Sequence, residues 1–151
     1  MIPIIKKRTG HDVPPEHFFN CNLFKQETNV KHLLTHTGYH YEIIESVLTH
    51  SKFHDVVWKS FQQTWKDWYE STKTDDYKAA FICKSGCHRS VAAMLGAKAF
   101  FELIQIPVEV VLVNKDEWCS QECVIQCWNC KPSLEKQSMI VDSVKNLMAK
   151  Q

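Results

Sequence analysis

The side chains best suited to chemistry lie together in one short stretch, Cys83 to Ser90, which reads CKSGCHRS. An apolar run precedes it and an Ala-rich run follows it, so it is predicted to join a strand to a helix. Backbone N–H groups at a helix start have no internal partners, and the helix dipole is positive there. Gly86 lets a ligand approach the backbone, Arg89 can hold two anionic oxygens, and Lys84 adds positive charge. The pattern predicts a phosphate-binding loop formed by Cys83, Lys84, Ser85, Gly86, His88, Arg89 and Ser90. The alternative is a tight turn with a capping serine and a surface arginine.

The charge balance of the chain makes nucleic acid a weak expectation as a partner. The chain has 18 basic and 17 acidic residues and a net charge of +1, which gives no general field for nucleic acid or an anionic membrane. The basic residues are sixteen lysines and only two arginines, Arg8 and Arg89. Because duplex reading depends on the two-pronged guanidinium, nucleic acid is not expected as a partner, although RNA is not excluded.

Four of the seven cysteines crowd together at positions 119, 123, 127 and 130. Four thiolates suit the tetrahedral shell of a structural zinc ion, so Cys119, Cys123, Cys127 and Cys130 are candidate ligands of one zinc. Only the last two have the C-x₂-C spacing of a zinc knuckle, and the last three also match an iron–sulfur spacing. The radical enzymes that use that spacing need a large barrel, for which this chain has no room. The alternative is a set of thiols that bind no metal, some of them buried beside Trp118 and Trp128.

Hydrophobic periodicity predicts the elements that must position the loop. Strands are predicted at Ile2–Lys6, His17–Phe24, Lys78–Ile82 and Val108–Val113. Helices are predicted over Thr28–Thr35, from Tyr39 through a long amphipathic stretch to near Tyr69, over Ser90–Ile104, and onward from Pro132–Ser133. The long stretch is predicted to contribute core residues: Phe53, Val56, Val57, Phe61, Trp65 and Trp68. Residues 78–113 then form a βαβ unit, which implies an α/β fold with a small, mostly parallel sheet and flanking helices.

The loop resembles the signature of the cysteine-dependent phosphatases, which is Cys, five residues, Arg, then Ser or Thr. Cys83, Gly86, Arg89 and Ser90 fit that spacing. The resemblance implies that Cys83 is a thiolate nucleophile and that Arg89 binds the phosphoryl oxygens. Ile82 stands where these enzymes usually have a histidine. A general acid is also required, and three aspartates are candidates only by default: Asp55, Asp75 and Asp76.

A longer resemblance covers the chain from about Phe18 to about Val113. The run Phe81–Ala92 (FICKSGCHRSVA) is similar to the C-terminal domain of the RapZ family, where Cys, two residues, Gly, one residue and His-Arg-Ser-Val follow a buried strand. The segment Leu33–Leu48 (LLTHTGYHYEIIESVL) resembles that family's Thr-Gly segment and the helix after it. Asn20 and Asn22 stand where the family has an Asp and an Arg in a strand.

This second resemblance implies a small α/β domain that senses an amino-sugar phosphate and forms homo-oligomers, and whose bacterial members contribute to RNA binding. It adds Thr37 and Gly38 to the expected ligand-binding residues, with His36 and His40 as further candidates to line the loop. The family's nucleotide-binding P-loop belongs to a separate N-terminal domain. Its motif is missing from this sequence, so no nucleotide cofactor is expected.

Two regions are expected: a RapZ C-terminal-like α/β domain over residues 1–116, and a Cys-rich segment with a C-terminal amphipathic helix over residues 117–151. No apolar run approaches the roughly 20 residues that span a bilayer, and the start lacks a secretory signal, so a cytoplasmic protein without membrane contact is expected. The leading hypothesis is the binding or sensing of a phosphorylated small molecule without catalysis. A cysteine-dependent phosphatase is the alternative, and an interaction or oligomerisation module with a vestigial site is the third hypothesis.

Overall fold

The described part of the chain forms two parallel strands and four α-helices, and the predicted phosphate-binding loop, residues 83–90, follows the C-terminal end of the second strand. The computed structural model describes residues 13–24, 36–71, 76–84, 88–112 and 128–150. Its strands and helices are β1 Phe18–Asn20, α1 Tyr41–Leu48, α2 Lys59–Glu70, β2 Ala80–Ile82, α3 Arg89–Leu103 and α4 Leu134–Ala149. The two strands run parallel, with Phe18 opposite Ala80 and Asn20 opposite Ile82. The predicted α/β class with a C-terminal helix is confirmed.

The core lies between the sheet and the helices and is built largely of aromatic rings. Trp58 and Phe61 contact the Phe100 ring, with centroids 5.8 and 5.6 Å apart. Gly96 brings α3 close to α1, since a Cβ at that position would lie 2.8 Å from the Leu48 Cδ2 atom. The prediction that the long amphipathic stretch contributes core residues is confirmed for the buried Phe53, Val57 and Phe61, while Val56 and Trp65 are partly buried against them. It is wrong for Trp68, which is half-buried and stacks on the Trp65 ring outside the core cluster.

The long helix predicted from Tyr39 to Tyr69 is wrong as a single element. In its place the structure has α1, a turn, a π-helical turn at His54–Trp58, and then α2. His40 caps α1, since its Nδ1 accepts the Glu42 N–H at 3.1 Å. In the turn after α1, His50 Nδ1 accepts the Lys52 N–H at 3.0 Å, whereas the π-helical turn and α2 begin without a side-chain cap. Apolar spacing continues across the break, so periodicity alone cannot reveal it.

The fourth predicted strand, Val108–Val113, is absent from the described residues 108–112, and Val113 lies outside them. Helix α3 ends in a Schellman turn: Gln105 has a positive φ of 61°, and the Ile106 N–H donates to the Phe101 carbonyl at 2.8 Å. The chain then continues without regular secondary structure as far as residue 112, and Val108 and Val111 are exposed. A β-branched run forms a strand only where a sheet edge can pair with it, and the parallel pair is instead β1 with β2.

The predicted strand at His17–Phe24 is shorter than expected, because 3₁₀ turns at Pro15–His17 and Cys21–Leu23 flank β1. The predicted strand at Lys78–Ile82 is likewise reduced to β2. The helix predicted over Ser90–Ile104 is confirmed as α3, and Ser133 caps α4 by accepting the Lys136 N–H. The elements predicted at Ile2–Lys6 and Thr28–Thr35 lie outside the described residues. Among the helices described here, none is long and apolar enough to cross a bilayer.

Candidate functional site

The loop after β2 faces the turn after β1, because both strands end at the same edge of a parallel pair. The last register pair is Asn20 with Ile82, so Cys21 and Cys83 follow directly on neighbouring strands. Helix α3 begins six residues after Cys83, at Arg89. Ser85 and Gly86 of the predicted loop lie outside the described residues, whereas Cys83, Lys84 and residues 88–90 on either side are described.

The Cys83 sulfur lies against the first turn of α3. Its thiol donates to Ser90 Oγ at 3.1 Å, and the Ser90 N–H donates to the sulfur at 3.4 Å. That N–H is one of those that a helix start leaves without an internal partner. Ser90 is buried as the second residue of α3, and the cap position belongs to His88, whose side chain makes no capping bond. The alternative prediction of a capping serine is therefore wrong.

Arg89 reaches across the site to the turn after β1. Its Nη1 donates to the Phe24 carbonyl at 2.6 Å and its Nη2 to Asn22 Oδ1 at 3.1 Å. Asn22 Oδ1 also accepts the Lys84 N–H at 2.8 Å, so one amide oxygen ties the two ends of the loop together. The two partners that the structure describes for the guanidinium are neutral oxygens, and within the described ranges no carboxylate pairs with it. A guanidinium has five N–H donors, and the contacts with described residues use two of them, which leaves donors that those residues do not occupy.

The Thr-Gly segment packs against the same end of α3. A Cβ added at Gly38 would lie less than 3 Å from the His88 carbonyl oxygen, the Val91 Cβ and the Ala92 nitrogen. Thr37 is buried, and its hydroxyl accepts the Tyr39 N–H at 3.2 Å. The structure thus brings the predicted residues Thr37 and Gly38 to the start of α3.

His88 joins the Thr-Gly segment through its ring. Its Nε2 donates to the His36 carbonyl oxygen, and because a carbonyl only accepts, this nitrogen carries the proton. Burial lowers the pKa of His88, the charges of Arg89 and His36 lower it further, and the bond to His36 opposes them. His88 is thus a neutral hydrogen-bond donor at pH 7.

Cys21 is the buried neighbour of this site. Burial raises the pKa of the Cys21 thiol, the nearby Cys83 raises it further, and Arg89 acts in the opposite direction. The thiol is fully buried and donates to the Phe19 carbonyl at 3.9 Å. Cys21 is therefore an inert thiol at neutral pH.

The chain has no significant match to a protein-family model, a curated protein or a solved structure. The resemblance to the RapZ C-terminal domain therefore stays a prediction from sequence.

Of the predicted zinc ligands, Cys119, Cys123 and Cys127 lie outside the described residues. Cys130 is buried, with its sulfur 3.4 Å from His36 Nδ1. Among the residues that the structure describes, no group of three or more His, Cys, Asp or Glu side chains is arranged to hold a metal ion.

Sequence reasoning missed the part played by Asn22. It was noted only as a departure from the RapZ pattern, yet its amide oxygen receives both Lys84 and Arg89. The available signal was its position just past β1, at the edge where parallel strands place ligand-binding groups.

Proposed function

We propose that the protein binds a phosphorylated small molecule at the anion loop, residues 83–90, and acts as a sensor. The observation that carries this proposal is the environment of Arg89. It begins a 15-residue helix, where the dipole is positive, and its described partners are two neutral oxygens. A phosphate supplies the negative charge that this arrangement lacks.

The rest of the loop fits a phosphate monoester. N–H groups of the first helical turn bind its oxygens, the guanidinium adds charge-assisted bonds, and the exposed Lys84 contributes a further positive charge. His88 adds a neutral ring beside them. The sugar part of the ligand follows from the RapZ resemblance, which favours an amino-sugar phosphate.

A thermal-shift panel tests this proposal with matched compounds: a hexosamine phosphate, the same hexosamine without phosphate, and inorganic phosphate. At a ligand concentration 100 times the Kd, binding stabilises a protein by about 2.7 kcal/mol. For a chain of this size that corresponds to a rise in Tm of roughly 5–10 °C. We expect that shift with the sugar phosphate and none with the free sugar. Equal shifts with the two sugars, or none with any compound, would contradict the proposal and favour the interaction module.

A cysteine-dependent phosphatase is the second candidate, favoured by the two contacts between Ser90 and the Cys83 sulfur. Hydrogen bonds from a helix start stabilise a thiolate, which is the form that attacks phosphorus. The general acid is the weak point. Asp55 lies on the π-helical turn, bonded to His54 at 3.1 Å, and Asp76 is exposed. Asp75 lies outside the described residues, and the neutral His88 already donates its ring proton.

Phosphate release from an activated aryl phosphate separates the two functions. We expect no turnover from the unmodified protein, and Cys83→Ser should keep most of its sugar-phosphate affinity. Turnover by the unmodified protein that disappears in Cys83→Ser would replace the sensor with the phosphatase.

A further inference from the structure

His36 and Cys130 lie against each other although 94 positions separate them in the chain. The Cys130 sulfur is 3.4 Å from His36 Nδ1, and Cys130 is fully buried. The preceding residue fixes this placement, because the Asn129 carbonyl accepts the Tyr41 N–H at 2.9 Å at the start of α1. The end of the Cys-rich segment is thus held beside the Thr-Gly segment.

The separation of the two side-chain atoms fits two ligands of one metal ion. Zinc binds thiolate sulfur at about 2.3 Å and imidazole nitrogen at about 2.0–2.1 Å, which places tetrahedral S and N ligands about 3.6 Å apart. An S–H···N hydrogen bond also fits the observed 3.4 Å, so distance alone does not decide. The sequence around Cys130 does favour a metal. Cys127 completes a C-x₂-C pair with it, and Cys119 and Cys123 stand just upstream.

We propose that His36 and Cys130 are two ligands of one structural zinc ion, with two of Cys119, Cys123 and Cys127 completing its tetrahedral shell. The site is then a mixed Cys₃His centre, in place of the four-cysteine site expected from sequence. The three upstream cysteines lie outside the described residues, and their part in the proposal comes from their spacing alone.

The zinc would connect the Cys-rich segment to the anion loop. The His36 ring faces Cys130, while the His36 carbonyl accepts the His88 ring N–H beside Arg89. Gly38 rests on the first turn of α3 two residues further on. Metal binding therefore holds the Thr-Gly segment in the position it takes at the anion loop. This coupling rests on the proposed function, whereas the zinc ligation does not.

X-ray absorption at the zinc edge, on the unmodified full chain purified without added metal, tests the ligand set. We expect about one zinc per chain, with one nitrogen at about 2.0–2.1 Å and three sulfurs at about 2.3 Å. An all-sulfur shell would overturn the role of His36. A zinc content below roughly a tenth of the chain concentration would overturn the site.

Substitutions give a second measurement. His36→Ala and Cys130→Ser should lose the bound zinc, whereas Cys21→Ser, which removes a buried thiol from a different part of the molecule, should keep it. Retention of a full zinc complement by both His36→Ala and Cys130→Ser would contradict the proposal. If either variant fails to fold, the absorption spectrum of the unmodified chain still decides.

Chelation tests the coupling separately. Removing zinc should weaken binding of the hexosamine phosphate by roughly fivefold or more, in the usual range of coupling between two sites. Unchanged affinity in the zinc-free protein would refute the coupling while leaving the metal site in place. If the protein contains zinc with the expected ligands but binds no sugar phosphate, the proposed function is refuted and the zinc site is not.

Discussion

Gly38→Ala tests whether the Thr-Gly segment is packed on the start of α3. The added Cβ would lie less than 3 Å from three atoms of that turn: the His88 carbonyl oxygen, the Val91 Cβ and the Ala92 nitrogen. None of the three can move away by a side-chain rotation, so the segment and the helix must separate. Overpacking of this kind costs about 1–3 kcal/mol.

A smaller stabilising effect opposes this cost. Replacing Gly with Ala restricts the unfolded chain and adds about 0.4–1 kcal/mol of stability where the native conformation suits alanine. The central values of the two ranges, about 2 and about 0.7 kcal/mol, leave a net loss of about 1.3 kcal/mol, which lowers the Tm of a chain of this size by roughly 3–5 °C. Urea unfolding and thermal melts both measure it.

Gly96→Ala is the matched control for Gly38→Ala. Its closest contact is the Leu48 Cδ2 atom at 2.8 Å, the far end of a flexible side chain. Inside a helix alanine is more stable than glycine by about 1 kcal/mol, which offsets the cost of this contact. The free energy of unfolding of Gly96→Ala should therefore be nearly unchanged. If Gly38→Ala is as stable as Gly96→Ala, the packing of the Thr-Gly segment on α3 is refuted.

Three further predictions concern single groups. Native Cys83 should be alkylated by iodoacetamide at pH 8 while Cys21 is not, because burial raises the pKa of Cys21; equal labelling by mass spectrometry would contradict this. NMR should show the His88 ring titrating below pH 6.5, because burial lowers its pKa. As the pH falls through 6.5 the unfolded chain takes up the proton before the folded one, so His88 then lowers the free energy of unfolding, whereas at higher pH its contribution is constant. A midpoint above 6.5 would refute the assignment. Gln105→Gly should raise the free energy of unfolding by about 0.5–1 kcal/mol, because glycine adopts the positive φ without Cβ crowding; a lower midpoint in urea would count against that reading of the turn.

Sequence reasoning located the elements whose signals are local. The Ala-rich run of α3 and the serine-capped α4 were predicted to within a few residues, and the loop between β2 and α3 was predicted to lie where it does. Periodicity and capping chemistry act over a few residues, so one sequence suffices to reveal them.

The failures all depend on contacts distant in sequence or on unusual residues. The run that begins at Val108 can form a strand only if another strand lies beside it, and its own residues do not show whether one does. The break after α1 was missed because apolar spacing continues across it, while the turn is held by a histidine, His50, whose Nδ1 accepts the Lys52 N–H. The partner of Arg89 was missed because Asn22 lies 67 positions away, and the contact of His36 with Cys130 spans 94.

The central claim is that Arg89 binds the phosphate of a small ligand, and calorimetric titration of a hexosamine phosphate into Arg89→Ala tests it most directly. A charge-assisted bidentate contact contributes about 1.5–3 kcal/mol, so affinity should fall roughly tenfold to a hundredfold. Lys98→Ala is the control, since it removes an exposed positive charge from the same helix, paired with Glu102 at 3.0 Å. We predict unchanged affinity for Lys98→Ala and the full loss for Arg89→Ala. Equal, undiminished affinity in a folded Arg89→Ala variant would contradict the account.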